Sequence, residues 1–180
     1  MNINDNLPDN GAMKNRLLHV TTIAAEYCHA CENAAEMERE EFINRMLDLL
    51  PRIYWEFFDL SVESVSLDEF AYFSDYVDED YYENVRRHIE ALLGEDDMFL
   101  ETFEEDMKYS DTPISASIAE SLADIFQPLY NFISAVKDSE GEQMEEAYIN
   151  CKEEFESYWS QTLCNVLRAL NNLKIEYKYG

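Results

Sequence analysis

Two cysteines stand in the spacing of a redox motif, Cys28-His29-Ala30-Cys31. In thioredoxin-like sites such a pair opens a helix after a strand, because the helix N-terminus lowers the pKa of a thiol. Here the pair lies in the middle of a predicted helix, on the apolar stripe that also carries Leu17 and Ala24. We therefore expect Cys28 and Cys31 to be buried core residues, with redox activity as the alternative.

A structural zinc site would need two more ligands beside this pair. The chain has four cysteines, and the other two, Cys151 and Cys164, form no second pair of this spacing. Cys151 lies on the predicted core stripe of its helix, and Cys164 lies one position off it. We expect reduced thiols, as is usual in a cytoplasmic protein.

Glu26 and His29 form a Glu-x-x-His pair, which is half of the ligand set of di-iron carboxylate bundles. A second such pair is missing, because the residue three before His88 is Val85 and the residue three before His19 is Arg16. Glu26 and His29 also share their helix with further polar side chains, namely Glu32, Asn33 and Glu36. We expect a solvated polar face, and a metal-dependent helical-bundle enzyme with Glu26 and His29 as ligands is the alternative.

Other catalytic patterns give little support to an enzyme. The sequence contains no Gly-x-Ser-x-Gly, no Walker loop, no Gly-x-Gly-x-x-Gly and no His-Glu-x-x-His. Only three histidines are available as general bases, His19, His29 and His88. The sequence therefore leans toward a non-enzymatic protein, and it predicts no cofactor.

The chain is strongly acidic, with 39 Asp and Glu against 13 Lys and Arg and a formal net charge of −26. This charge argues against direct nucleic-acid binding and against docking on anionic lipid, since both require a positive patch. Residues 61–110 carry 16 acidic and 3 basic residues, half of the net charge in less than a third of the chain. Eight acidic residues of this stretch are our candidate partner-binding residues: Asp75, Asp78, Glu79, Asp80, Glu83, Glu95, Asp96 and Asp97.

We expect this acidic surface to meet a basic protein partner, whose binding would weaken with added salt. Loose binding of divalent cations and mimicry of nucleic-acid phosphates are alternatives, and so is a charge that serves solubility alone.

Aromatic residues are abundant, and four of them fall in the short run Tyr54, Trp55, Phe57 and Phe58. One core-facing stripe cannot bury all four. The helix that carries them is therefore central in the domain, or it forms a self-association surface and the protein is a homodimer.

Hydrophobic spacing predicts one all-α domain of about five to seven helices over residues 14–173, between tails at 1–13 and 174–180. In the first half of the chain we predict helices over residues 14–35 and 38–60, the second with a kink or break at Pro51, a helix opened by a capping box at Ser66, and a helix over 81–93 that Gly94 ends. In the second half we predict a short helix within 95–109, a helix that begins after Asp111-Thr112-Pro113 and is kinked at Pro128, and a helix from the capping box at Ser139 to residue 173. No apolar run reaches the length of a membrane span and residues 1–14 are polar, so we expect a cytoplasmic protein.

Three stretches of the sequence, two of them made of two segments each, carry a resemblance to a known family. They are "IAAEYCHACEN" with "LLPRIYWEFFDL", "YYENVRRHIEALLGEDD", and "SLADIFQPLYNFISAV" with "FESYWSQTLCNVLRAL". Together they resemble an uncharacterised bacterial family, domain of unknown function 5063, over nearly the whole chain after the N-terminal tail. The resemblance implies a compact helical domain. It implies no activity and no site residues.

Overall fold

The protein is described by a computed structural model over residues 10–62, 75–101 and 114–179. The helices are α1 Asn10–Glu32, α2 Arg39–Asp59, α3 Glu79–Leu93, α4 Ile118–Asp138, α5 Met144–Glu154 and α6 Ser160–Tyr179. A π-helical turn, Phe155–Trp159, joins α5 to α6, and 3-10 turns lie at Ala34–Glu36 and Gly94–Asp97. The predicted all-α fold is confirmed. No helix of these ranges is long and apolar enough to cross a bilayer.

The helix α4 occupies the centre, because it packs against α1, α3, α5 and α6. Its buried residues lie around most of its circumference, and they include Leu122, Ile125, Phe126, Leu129 and Phe132. The buried Tyr27 hydroxyl of α1 donates to the Leu122 carbonyl of α4 over 2.9 Å. The most central helix is therefore α4 rather than α2.

The helix α2 buries one face, and Phe57 on that face lies in a cluster of rings. The Phe57 ring lies 5.0 Å from Trp159 and 5.2 Å from Tyr148, measured between centroids. The end of α2 is then held by two donors to the Leu60 carbonyl, Tyr148 Oη at 2.9 Å and Lys152 Nζ at 2.7 Å. A cation and a hydroxyl thus occupy the partly negative C-terminal end of the helix dipole.

The two prolines among the described residues lie inside continuous helices, Pro51 in α2 and Pro128 in α4. The break that we offered as an alternative at Pro51 does not occur, and the kinks remain predictions.

The short helix predicted within 95–109 is wrong for the residues that the structure describes there. Gly94, with φ of +61°, ends α3 as predicted, and a 3-10 turn follows. The next residues form strand β1, Met98–Leu100, which pairs antiparallel with β2, Ser115–Ser117. The strand pairs with residues that lie 15 or more positions away in the sequence, so the consecutive apolar residues Met98, Phe99 and Leu100 do not reveal the pairing.

The helices α4 and α5 begin at residues other than those that the sequence predicted. The helix α4 begins at Ile118, where the Ser117 hydroxyl accepts from the Glu120 amide over 3.0 Å. This is a Ser-x-x-Glu capping pattern that our sequence analysis missed, whereas Asp111-Thr112-Pro113 lies outside the described residues. The Ser66 box lies outside them too.

Ser139 does not open a helix but ends α4. The residues that follow it, Glu140 and Gly141, have φ of +53° and +83°. The amide of Gly141 donates back to the Val136 carbonyl over 2.8 Å, as in a Schellman motif, and α5 begins only at Met144.

The predicted tails extend too far into the chain. The first helix begins at Asn10, four residues before the predicted start, and α6 continues to Tyr179. The last turns of α6 are held by tertiary contacts, since Tyr177 Oη donates to Asp96 and Lys174 Nζ donates to Asn44. These contacts are made with residues far away in sequence, so the local composition of 174–180 could not predict them.

Candidate partner-binding groove

A cavity of about 640 Å³ lies between β1 and the C-terminal half of α6. The strand contributes its three residues, Met98 to Leu100, and Glu101 follows them; the helix contributes Arg168, Ala169 and Leu173, among others. The apolar side chains form part of its wall, and carboxylates of Glu95, Asp96 and Glu176 stand around it.

A second cavity of about 360 Å³ adjoins the first and is more polar. Glu101 and Asn165 line both cavities, and the Asn165 amide donates to the Glu101 carboxylate. The second cavity extends between the start of α4 and the start of α6, where Glu120, Ser121, Asp124 and Tyr158 line it. We call the two cavities together the hairpin groove.

Asp124 joins three elements of the fold at the hairpin groove through hydrogen bonds to two tyrosines. Its Oδ1 accepts from Tyr82 Oη over 2.7 Å and its Oδ2 accepts from Tyr158 Oη over 3.0 Å. Burial and the adjacent Asp124 carboxylate raise the pKa of both tyrosines, so both hydroxyls stay protonated donors. Residues from α3, α4 and the π-helical turn are thereby tied together at the floor of the groove.

The π-helical turn presents Tyr158 to the hairpin groove. Within this turn Phe155 and Trp159 are buried, with ring centroids 4.7 Å apart, whereas Tyr158 is exposed. A π turn shifts the helix register locally, and such turns occur often at functional sites.

The hairpin groove is electronegative. Within the described part of the chain, its lining includes the acids Glu95, Asp96, Glu101, Glu120, Asp124 and Glu176, and one basic residue, Arg168. Asp96 is also paired with Arg39 over 2.8 Å and therefore contributes less to this field than the others. Acids on the wall of a cleft focus the negative potential there.

Four of the predicted partner-binding residues have structural partners. Asp97 is 3 % exposed, so it cannot belong to an exposed acidic surface. Asp78 caps α3 by accepting from the Tyr81 amide over 2.8 Å. Glu83 is paired with Arg86 at 3.0 Å and Arg87 at 3.4 Å, and hydrogen bonding to Arg86 lowers the pKa of its carboxyl. The fourth of these residues is Asp96, which is paired with Arg39.

The remaining four are exposed but do not share one site. Asp75 lies near Asn131, and Glu79 and Asp80 are in the first turn of α3. Of the predicted set, Glu95 and Asp96 line the hairpin groove. Glu120, Asp124, Tyr158 and Glu176 were not predicted from the sequence as groove residues, because they come from three separate segments and no local pattern joins them.

The thiols have the surroundings that the sequence predicted. Cys28, Cys31 and Cys151 are buried and Cys164 is exposed. Burial raises the pKa of Cys28 and Cys31, the opposite of the shift that activates a redox thiol.

The candidate metal ligands have other partners. Glu26 Oε2 lies 3.5 Å from Arg45 Nη2, and His29 Nδ1 lies 3.1 Å from Asn33 Nδ2. Across residues 10–62, 75–101 and 114–179, no group of three or more His, Cys, Asp or Glu side chains is placed to hold a metal ion.

The aromatic run on α2 divides between the core and the surface. Phe57 is buried, whereas Trp55 is 58 % and Phe58 is 63 % exposed. The Tyr54 and Phe58 rings stack with centroids 6.0 Å apart. We call Tyr54, Trp55 and Phe58 the aromatic patch.

Comparison with known proteins identifies the family of the chain. The family model described as "Domain of unknown function (DUF5063)" matches residues 12–176. A crystal structure of protein BF1032 from Bacteroides fragilis is similar to the chain, with 32 % sequence identity and a TM-score of 0.76 over 88 % of this chain and 92 % of that one. No curated protein matches the sequence.

Proposed function

The chain belongs to the family described as domain of unknown function (DUF5063), and we propose that it is a non-enzymatic interaction domain whose hairpin groove holds a basic segment of a partner protein. The observation that carries this proposal is the composition of the groove. Among the residues that the structure describes, its lining combines six carboxylate side chains with one arginine, around cavities of about 640 and 360 Å³.

The overall charge supports the same conclusion. A chain of net charge −26 attracts cationic partners at long range, and a cleft with acidic walls then directs them to one place. Compared with the predicted surface on α3, the groove offers two advantages to a ligand: a concave shape and apolar walls beside the charges.

Several features favour binding over catalysis. No histidine or cysteine of the described ranges lines the two cavities. Both oxygens of Asp124 accept tyrosine hydroxyls, which leaves this carboxylate suited to electrostatic attraction rather than to proton transfer. We propose that the encounter takes place in the cytoplasm, where the buried Cys28 and Cys31 would stay reduced.

The proposal is tested with a fluorescent heptapeptide of alternating lysine and valine, measured by anisotropy at low and at raised salt. The groove variant carries Glu95→Gln, Glu120→Gln and Glu176→Gln, all at exposed residues. The matched control carries Glu142→Gln, Glu145→Gln and Glu153→Gln, at residues that are also exposed and that are absent from the described lining of the groove.

We expect the groove variant to lose about tenfold in affinity and the control less than about threefold, because only the groove acids touch the ligand. Added salt should weaken binding to the unaltered protein. Equal losses in both variants, or no binding at low salt, would contradict the proposal.

A further inference from the structure

The outer edge of β1 carries backbone groups that β2 does not use. Glu101 N donates to Ile114 O over 2.8 Å, in the same register that pairs Phe99 with Ala116. Hydrogen-bonded pairs alternate along an antiparallel ladder, so Met98 and Leu100 direct their N–H and C=O groups away from β2. Within the described ranges the sheet has two strands, and neither residue has a backbone hydrogen bond to a third.

The same two residues are exposed on the outer face of the hairpin. Met98 is 57 % and Leu100 is 63 % exposed, whereas Phe99 between them packs against the core. An exposed apolar edge strand is a template for another strand, and proteins usually block such edges with charge, proline or a covering element. The edge of β1 instead adjoins the larger cavity of the hairpin groove, which Met98 to Glu101 line together with α6.

We propose that the basic segment enters the hairpin groove as an extended strand that pairs with the free edge of β1. This inference rests on the proposed function and specifies the conformation of the ligand. Main-chain hydrogen bonds to Met98 and Leu100 provide affinity, and alternate side chains reach the α6 wall, where Glu176 stands beside Ala169 and Leu173.

The negative charge around this edge of β1 favours a basic ligand over a second copy of the chain. A second copy of the chain would bring another net charge of −26 and another acidic groove against this one. A lysine- or arginine-bearing strand instead neutralises the carboxylates at Glu95 and Glu176 while its backbone pairs with β1. The edge therefore fits a basic extended segment rather than a second protomer.

The test changes the probe rather than the protein, so the fold of the domain is not at risk. Two further versions of the lysine–valine heptapeptide carry N-methyl groups, one on every valine amide and the other on every lysine amide. In an added strand, residues whose amides face β1 alternate with residues whose amides face away. We expect one methylated peptide to lose roughly tenfold or more in affinity and the other to bind like the parent.

If the parent peptide binds and the two methylated peptides have the same affinity as each other, strand pairing is wrong while the proposed function stands. If the parent does not bind at low salt, the proposed function itself fails. A dimer of the protein alone that Leu100→Pro dissociates would assign this edge to a second copy and would overturn the proposal, since that proline removes the outward N–H and spares the ladder bonds of Phe99.

Discussion

The carboxylate of Asp97 accepts a hydrogen bond from the backbone amide of Ala119, with 2.7 Å between Oδ1 and N. Ala119 lies in the first turn of α4, whose next amide, that of Glu120, is capped by Ser117. One orphan amide of the central helix is thus satisfied locally and another by a residue 22 positions earlier. Part of the acidity of the chain is therefore structural.

Asp97→Ala should lower the free energy of unfolding by about 1–3 kcal/mol, because it leaves a buried amide at a helix N-terminus without an acceptor. Asp97→Asn keeps an acceptor oxygen and should cost less. Urea denaturation measures both. Glu142→Ala removes an exposed acid and serves as the control, with an expected change within about 0.5 kcal/mol. Equal effects of Asp97→Ala and Glu142→Ala would refute the capping role.

Tyr82→Phe should cost about 1 kcal/mol of stability, since it removes a donor to Asp124 from a partly buried site. Tyr158→Phe removes the other donor from an exposed site and should cost less. Combining Tyr82→Phe with Asp124→Asn in a double-mutant cycle tests the contact directly. The two changes should be non-additive by more than about 0.5 kcal/mol, and simple additivity would rule out the coupling.

Burial, followed by the nearby Asp75 carboxylate, raises the pKa of Glu154. Its folded-state pKa therefore lies above its unfolded value, so the folded state binds more protons between the two values and stability falls as pH rises through this window. Glu154→Gln should remove that penalty at neutral pH, raising Tm by about 1 °C after allowance for its partial exposure, with no gain at about pH 3. Thermal melts across this range measure the gain.

Glu153→Gln is the matched control for that experiment, because Glu153 is an exposed neighbour on the same helix. A gain for Glu154→Gln that is the same at pH 3 and pH 7 would show that the effect has another origin.

Cys164 should be alkylated first in the native protein, because the other three cysteines are buried. Burial also raises the pKa of the Cys164 thiol, so its labelling should be slow at neutral pH and accelerate as the pH increases. Iodoacetamide labelling followed by mass spectrometry locates the modified residue, and labelling in denaturant should reach all four cysteines. If Cys28 or Cys31 is labelled as early as Cys164, these two thiols are accessible and the alternative of a redox-active pair is favoured.

The aromatic patch predicts a homodimer that salt strengthens. Burial of Trp55 and Phe58 favours association, while the net charge of −26 on each chain opposes it, and salt screens only the repulsion. Sedimentation should show more dimer at higher salt, and Trp55→Ser with Phe58→Ser should abolish it. If the protein is a monomer at every salt concentration, the aromatic patch does not form a dimer interface.

The prediction of helices succeeded where the determining signal is local. The spacing of apolar residues predicted a second helix at 38–60, and α2 spans Arg39–Asp59. Gly94 ended α3 as predicted, because a glycine adopts a positive φ, here +61°, without the steric cost that a side chain would bring. By contrast, Ser139-x-x-Glu142 has the form of a capping box, yet in the fold Ser139 terminates the preceding helix.

The sequence by itself determined the all-α class, the burial of Cys28 and Cys31, and the strong negative charge, because periodicity and composition are properties of neighbouring residues. Only the tertiary structure decided which acids line the hairpin groove. Asp97 and Glu120 carry the same charge, yet one is buried as a helix cap and the other lines the hairpin groove. The hairpin, the groove and the free edge of β1 arise from contacts between segments that are distant in the chain, and such contacts leave no periodic signal in either segment.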